Sequence, residues 1–102
     1  MKNKEFEEVY NQGQRFYSTF FTFVVLRSDC FAWGFVISKK HGSAVCRNKI
    51  KRRLRSIVDK IKGSLSNPFR VIVIPKPGIN KFKFGELVEK FIEATRKAKL
   101  IS

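Results

Sequence analysis

The residues best suited to chemistry in this sequence are the cations of one segment, Ser38 to Ser56, with the sequence SKKHGSAVCRNKIKRRLRS. Eight of its nineteen residues are Lys or Arg, and none is Asp or Glu. The guanidinium group of Arg forks onto phosphate and stacks on nucleobases. Gly42 and Ser43 stand where the chain turns into a predicted helix, and the free backbone N–H groups at a helix start can bind phosphate. The segment therefore predicts a surface that binds a polyanion.

Side chains that could cleave a phosphodiester bond are sparse. The eight acidic residues are scattered along the chain, whereas a metal nuclease needs clustered carboxylates. Glu86, Glu89 and Glu93 share one face of a predicted helix, but they alternate with Lys and are expected to face solvent. His41 is the only histidine, so no histidine pair is available for acid–base cleavage. We expect no catalytic residue and no metal site in this protein.

The cationic segment has the apolar spacing of a folded helix and not the pattern of a disordered tail. It predicts a helix from Ala44 to about Lys62, with Gly63 as its stop. At about 100° per residue, one sector of the helix is apolar and should be buried. Val45 also belongs to the apolar spacing. The predicted buried stripe consists of Cys46, Ile50, Leu54, Ile57 and Ile61.

Cations cover nearly all of the remaining surface of this helix. Arg47, Lys51 and Arg55 form one row, and Asn48 and Arg52 form the row beside it. A face that is merely solvated normally mixes signs, because like charges at i,i+4 each cost a few tenths of a kcal/mol. The repeated like-charge pairs therefore favour a bound polyanion over a solvated surface.

The remaining elements are predicted from periodicity. Phe6, Val9, Tyr10 and Gly13 recur at helical spacing, and Asn3 can cap that helix. Strands are expected at Phe20 to Leu26 and at Arg70 to Ile74. Cys30 to Ile37 is interpreted as the returning strand of a hairpin whose turn is Arg27-Ser28-Asp29. A last helix runs from Phe84 or Gly85 to about Lys99, so we expect a two-layer α+β sandwich or an α/β sandwich.

Composition bounds the class of protein and its partner. The chain has 102 residues, 43% of them hydrophobic, and a formal net charge of +14. These values suit one compact domain whose partner is strongly acidic, with nucleic acid first and an anionic membrane surface second. The longest apolar run, Phe20 to Leu26, is too short to span a bilayer, and the start is not a signal peptide. Cys30 and Cys46 are expected to be reduced core residues of a cytosolic protein.

The cationic segment resembles the signature of the bacterial ribonuclease P protein family, S-K-K-x-G-x-A-V-x-R-N-R-x-K-R-x-x-R. Lys49 replaces an Arg of that signature, which keeps the charge and loses the bidentate fork. Weaker similarity covers nearly the whole chain, including F-x-x-V-Y-x-x-G at Phe6 to Gly13. The departures are shorter ends, a shorter hairpin loop, Ala32-Trp33 before Gly34, and Pro75. The signature matches at Ser38, Lys39, Lys40, Gly42, Ala44, Val45, Arg47, Asn48, Lys51, Arg52 and Arg55.

The resemblance implies a fold that periodicity alone does not give. The family fold is an α+β two-layer sandwich in the order α-β-β-β-α-β-α, ribosomal protein S5 domain 2-like, with a left-handed βαβ crossover. It implies one further short strand, near Gln14 to Tyr17, and a single domain over residues 1–102. Right-handed crossovers prevail in general, so the left hand is expected from the resemblance only.

The resemblance also implies a function. It predicts a cytoplasmic protein subunit of ribonuclease P, an endoribonuclease that removes the 5′ leader of precursor tRNA. The ribonuclease P RNA would perform hydrolysis with Mg²⁺, and the protein would bind no cofactor tightly. The implied contacts to that RNA are Lys39, Lys40, Arg47, Asn48, Lys49, Lys51, Arg52, Arg53 and Arg55. A cleft for the leader would be lined by Phe6, Tyr10, Phe20 and Val24, and Val24 is a departure because the family often has an aromatic residue there.

Four other classes of protein remain as alternatives. A structural RNA binder of the ribosomal type explains the charge equally well, but not the aromatic cleft. A DNA-binding regulator would carry more Asn, Gln and Ser on its recognition helix. A membrane-surface helix would carry Trp, Phe or Leu on its apolar side, and no membrane partner is expected. An autonomous nuclease is disfavoured by the missing acids.

Overall fold

The computed structural model describes residues 2–65 and 67–100 and has the predicted order of elements. In the described residues, three short 3₁₀ turns lie between the helices and strands, at Lys39–His41, Lys62–Ser64 and Ile79–Lys81. The strand expected near Gln14 to Tyr17 is confirmed. The elements are α1 (Asn3–Gln12), β1 (Gln14–Tyr17), β2 (Phe21–Arg27), β3 (Ala32–Phe35), α2 (Ala44–Ile61), β4 (Phe69–Pro75) and α3 (Phe84–Lys97).

The strands of the described residues form one mixed sheet in the order β1-β2-β4-β3. β2 is antiparallel to β1 and to β4, whereas β3 pairs only with β4 and is parallel to it. The predicted hairpin between β2 and β3 is therefore wrong. β4 lies beside β2 in the position that was predicted for β3. Val71, Ile72 and Val73 of β4 are buried on both faces of the sheet, as a central strand requires. β3, α2 and β4 form a β-α-β unit, and its left hand stays a prediction.

The two faces of the sheet carry different cores. Alternation along β2 directs Phe21 and Phe23 to the face covered by α2 and α3, where both rings contact Phe91 edge-on at 5.3 and 5.4 Å between centroids. Val24 and Ile72 point to the opposite face and pack against Val9 of α1. We call this opposite side the α1 face. The sheet thus holds α1 on one side and the cationic helix on the other.

α1 reaches the sheet so closely because residue 13 is glycine. A Cβ at Gly13 would lie 2.5 Å from the carbonyl oxygen of Val9 and 2.7 Å from Cγ1 of Val24. The Gly13 N–H donates to that same Val9 carbonyl at 2.7 Å and closes the helix. At its other side α1 is held by an ion pair of 3.7 Å between Glu8 Oε2 and Arg70 Nη1. These contacts fix the position of α1 on the α1 face.

α2 buries most of the predicted stripe. Ile50, Leu54, Ile57 and Ile61 are buried, and Val58 joins them. Val45 is 78% exposed, because it lies nine residues before Leu54 and about 180° from it on the helix. Its inclusion in the apolar side was wrong.

The prediction that both cysteines are core residues is also wrong. Cys46 is only half-buried, and Cys30 is exposed. Cys30 is exposed because β3 begins at Ala32, which places the cysteine in the connection after β2. Both thiols are free. No helix within the described ranges has the length and apolar character needed to cross a membrane.

Candidate nucleic-acid interface

The start of the cationic segment is locked by His41. This side chain is only 6% exposed. Its Nδ1 accepts the backbone N–H of Ser38 at 3.1 Å, and its Nε2 lies 2.7 Å from the carbonyl oxygen of Pro75. Since Nδ1 acts as an acceptor, the proton is assigned to Nε2, which donates to Pro75. The ring therefore ties the turn that bears Lys39 and Lys40 to the end of β4.

The first turn of α2 follows directly from this anchor. Gly42 has a φ of +110°, a conformation that favours glycine. Ser43 is the N-cap, and its Oγ accepts the backbone N–H of Cys46 at 3.3 Å. The chain thus enters α2 in an orientation that presents Arg47 and Asn48 in the next turn.

Five side chains on the outer surface of α2 form what we call the basic row: Arg47, Asn48, Lys51, Arg52 and Arg55. All are exposed except Arg47, which is half-buried. The Nε of Arg47 is buried and has no hydrogen-bond partner among the described residues. The one ion pair found on this helix in the described residues joins Asp59 to Lys62 at 4.0 Å, beyond the row. The row is therefore not neutralised by an ion pair in the described part of the chain.

The other predicted cations divide by position. Lys39 and Lys40 are exposed in the turn before α2, and Lys49 is exposed on a different side of the helix from Arg47 and Lys51. Arg53 is half-buried, and its Nη1 donates to the Phe82 carbonyl at 3.3 Å. Arg53 thus has a structural role in holding the connection that precedes α3.

The basic row meets α1 across the free edge of the sheet. β3 is an edge strand, and a cavity of about 210 Å³ beside it is lined by Phe6, Trp33, Gly34, Phe35, Lys51 and Arg55. A neighbouring cavity of about 250 Å³ is also lined by Lys51, together with Arg47 and Asn48. An aromatic side chain of α1 and two cations of α2 therefore share one concave surface.

Side chains of α1 and of the strands form a further surface on the α1 face of the sheet. Phe6 packs against the hydrophobic cluster of that face, and Tyr10, one turn later, is 44% exposed. The strand register aligns Tyr17, Thr22 and Ile74 across the sheet. Thr22 lies two residues before Val24, and Ile74 lies two residues after Ile72. Side chains two residues apart on a strand point to the same face, so Thr22, Ile74 and the paired Tyr17 all lie on the α1 face. We call the surface formed by Phe6, Tyr10, Thr22 and Ile74 the α1 cleft, and Tyr17 lies at its border on β1.

Two of the four predicted cleft residues do not line it. Val24 is fully buried beneath α1 and cannot reach a ligand. Phe20 packs against the main core on the other face, with its ring 4.8 Å from that of Phe82. The reason is that β2 begins at Phe21, so the alternation that was extended to Phe20 does not apply there.

Sequence reasoning missed Ile74 as a cleft residue and Tyr17 at the border of the cleft. Both are identified by the strand register, which joins positions far apart in the chain. The only local signal was the two-residue period of the strand. Phe16 packs against the main core, so Arg15 and Tyr17, on either side of it, face the opposite way. Within 2–65 and 67–100, no three His, Cys, Asp or Glu side chains are grouped so that they could hold a metal ion.

The fold and site define a class of protein, a small α+β polyanion binder with a cationic helix beside an aromatic cleft. The family model for ribonuclease P matches residues 1–99. The chain is 31% identical to the ribonuclease P protein component of Syntrophomonas wolfei over an alignment 102 positions long, which covers 98% of this chain and 86% of that protein. It is also 31% identical to that of Streptococcus pneumoniae, over 97% of this chain and 82% of the other.

Solved structures agree with the sequence relatives. The ribonuclease P protein of Staphylococcus aureus superposes with a TM-score of 0.90 at 27% identity, covering 100% of this chain and 95% of the other. That of Thermotoga maritima gives 0.83 at 25% identity, covering 94% of each chain. The chain belongs to the bacterial ribonuclease P protein family. It is a protein subunit of an endoribonuclease ribonucleoprotein, whose partners are RNA.

Proposed function

We propose that the basic row binds the catalytic ribonuclease P RNA and that the α1 cleft holds the single-stranded 5′ leader of precursor tRNA. The observation that carries this proposal is the cavity shared by Phe6, Lys51 and Arg55. It joins an aromatic surface to a cationic one, and single-stranded nucleic acid is bound by that combination. Endonucleolytic removal of the leader would give the mature 5′ end of the tRNA.

The contribution of the protein is electrostatic and positional. Its net charge of +14 lowers the repulsion between the phosphates of two RNA molecules that must approach each other. Arg47 is half-buried, and the accessible part of its guanidinium group can donate charge-assisted hydrogen bonds to a phosphate oxygen of the RNA. The RNA subunit with Mg²⁺ would perform hydrolysis, and the protein would bind no cofactor tightly.

The remaining cations of the segment support the same interface. Lys39, Lys40 and Lys49 are exposed around the basic row and would contact RNA phosphates. Nη1 of Arg53 binds the Phe82 carbonyl, so Arg53 would contact RNA only through its other donors. We further propose a single domain over residues 1–102 and a cytoplasmic location, where precursor tRNA is processed.

The alternative is a structural RNA binder of the ribosomal type. It would use the basic row in the same way, but it would give no role to the exposed ring of Tyr10 or to the cleft floor at Thr22 and Ile74. The two functions differ in whether affinity depends on a single-stranded extension of the RNA.

The experiment is cleavage of a 5′-extended precursor tRNA at low Mg²⁺ by a bacterial ribonuclease P RNA alone, by this protein alone, and by both. We expect cleavage at the mature 5′ end only in the mixture, because the protein replaces Mg²⁺ in screening phosphates. If the protein binds the RNA and yet gives no cleavage, the structural alternative replaces this proposal.

A further inference from the structure

The outer strand β1 directs two side chains onto the α1 face. Arg15 is paired with Val24 and Tyr17 with Thr22. Val24 packs beneath α1, and side chains two residues apart on a strand share a face. Arg15 and Tyr17 therefore project beside the α1 cleft, at the edge of the sheet farthest from β3 and the basic row.

Arg15 makes two contacts with Tyr10. Its guanidinium carbon lies 4.5 Å from the centroid of the Tyr10 ring, and its Nη2 donates to the Tyr10 carbonyl at 3.4 Å. A cation over the ring face restrains the orientation of an otherwise exposed aromatic side chain. Tyr10 is thus held as a preorganised platform, and it keeps 44% of its surface exposed.

Tyr17 provides a second aromatic surface near this platform. It is 70% exposed, far more than a tyrosine used in packing. Single exposed apolar residues are common and need no explanation, but this one shares a strand face with the arginine that restrains Tyr10. Positions two apart on a strand are separated by about 7 Å. Tyr17 therefore lies one strand repeat away from the arginine that restrains Tyr10.

We propose that Arg15 and Tyr17 form an additional nucleotide site that extends the α1 cleft along β1. A base of single-stranded RNA stacks on Tyr17, and Arg15 both positions Tyr10 and meets the adjacent phosphate. This inference rests on the proposed function of the α1 cleft. Three strand spacings of about 4.8 Å separate β3 from β1. The site therefore binds leader nucleotides that are distant from the basic row.

The test is the affinity of the holoenzyme, reconstituted with a bacterial ribonuclease P RNA, for precursor tRNAs whose leaders are shortened one nucleotide at a time. For Tyr17→Ala we expect wild-type affinity for mature tRNA and for short leaders. Beyond a threshold length the variant should bind about fivefold or more weakly, because stacking on an aromatic ring is lost. Tyr17→Phe, which keeps the ring, should bind like the wild type at every length.

Arg15 is tested in the same series. Arg15→Gln should reduce affinity from a shorter leader length than Tyr17→Ala does, because Tyr10 loses its restraint. A merely structural role for either residue would not produce a length threshold. One outcome is that the wild type gains affinity with leader length and Tyr17→Ala binds equally tightly at every length. The additional site is then overturned, and the α1 cleft stands. If the wild type gains nothing with leader length, both are overturned.

Discussion

The imidazole of His41 donates from Nε2 to the carbonyl oxygen of Pro75 at 2.7 Å, across 34 positions of the chain. The other ring nitrogen accepts the Ser38 N–H. One buried side chain thus determines how the turn before α2 sits on the end of β4. The only histidine of the sequence therefore has a structural role, and its two nitrogens are occupied.

Replacing this histidine tests the anchor. His41→Leu fills the space with an apolar side chain and removes both hydrogen bonds. We therefore expect the free energy of unfolding to fall by about 1–3 kcal/mol. RNA affinity should fall as well, because Lys39 and Lys40 lose their fixed position. Urea unfolding and RNA binding measure the two effects. Lys40→Ala is the control that lowers affinity with unchanged stability, and a His41→Leu variant as stable as the wild type would contradict the anchor.

Removing two cations of the basic row tests its contact with RNA. Arg47→Ala combined with Lys51→Ala should leave the circular dichroism spectrum native and weaken RNA binding. If each side chain neutralises one phosphate, the log–log salt dependence should become shallower by about 1.4. Lys62→Ala combined with Lys97→Ala removes the same charge elsewhere, at two exposed positions. Equal losses in the two double variants would mean that only net charge matters.

A pair of aromatic substitutions distinguishes cleft from core. Tyr10→Ala should lower affinity for precursor tRNA more than for mature tRNA, by about fivefold or more, since a stacking surface is lost. Phe20→Ala should instead lower the free energy of unfolding, by about 2 kcal/mol, because Phe20 packs edge-on against Phe82. Holoenzyme affinity for both tRNA forms and thermal unfolding are measured on each variant. If Phe20→Ala instead weakened binding of precursor tRNA and not of mature tRNA, Phe20 would be a cleft residue.

Two glycine substitutions test the close approach of α1 to the sheet. Gly13→Ala places a Cβ 2.5 Å from the Val9 carbonyl oxygen, so α1 must shift, and we expect a loss of about 2 kcal/mol or more. Gly85 lies in the first turn of α3 with open space around a Cβ. Gly85→Ala should therefore stabilise by about 0.5–1 kcal/mol. Thermal unfolding compares the two, and a neutral Gly13→Ala would show that α1 is not tightly seated.

Local pattern was sufficient for the positions of the helices and for the apolar stripe of α2, but the predicted cap was wrong, because Asn3 is the first residue of α1 and its side chain does not cap the helix. Ala44 begins α2 in the structure as in the sequence, and four of the five predicted stripe residues are buried, because helical periodicity is a property of neighbouring residues. The resemblance to a known family supplied β1, whose four residues are too few to show a period of their own.

Strand pairing could not be predicted in this way. Trp33 pairs with Val71, thirty-eight positions away, and nothing in the sequence near Trp33 specifies that partner. The same limit explains the cleft. Tyr17 comes to the border of the cleft through its alignment with Thr22 and Ile74, and Ile74 joins that row only because β4 inserts between β2 and β3.

The free edge of β3 has a consequence for self-association. An unpaired strand edge is a template on which a second copy can add its own strand. Here Lys51 and Arg55 border that edge, so two copies that approach edge to edge would bring like charges together. The cations that are proposed to bind RNA are therefore expected to oppose edge-to-edge pairing of the unbound protein. At the proposed interface, the RNA that neutralises these cations would also cover the edge.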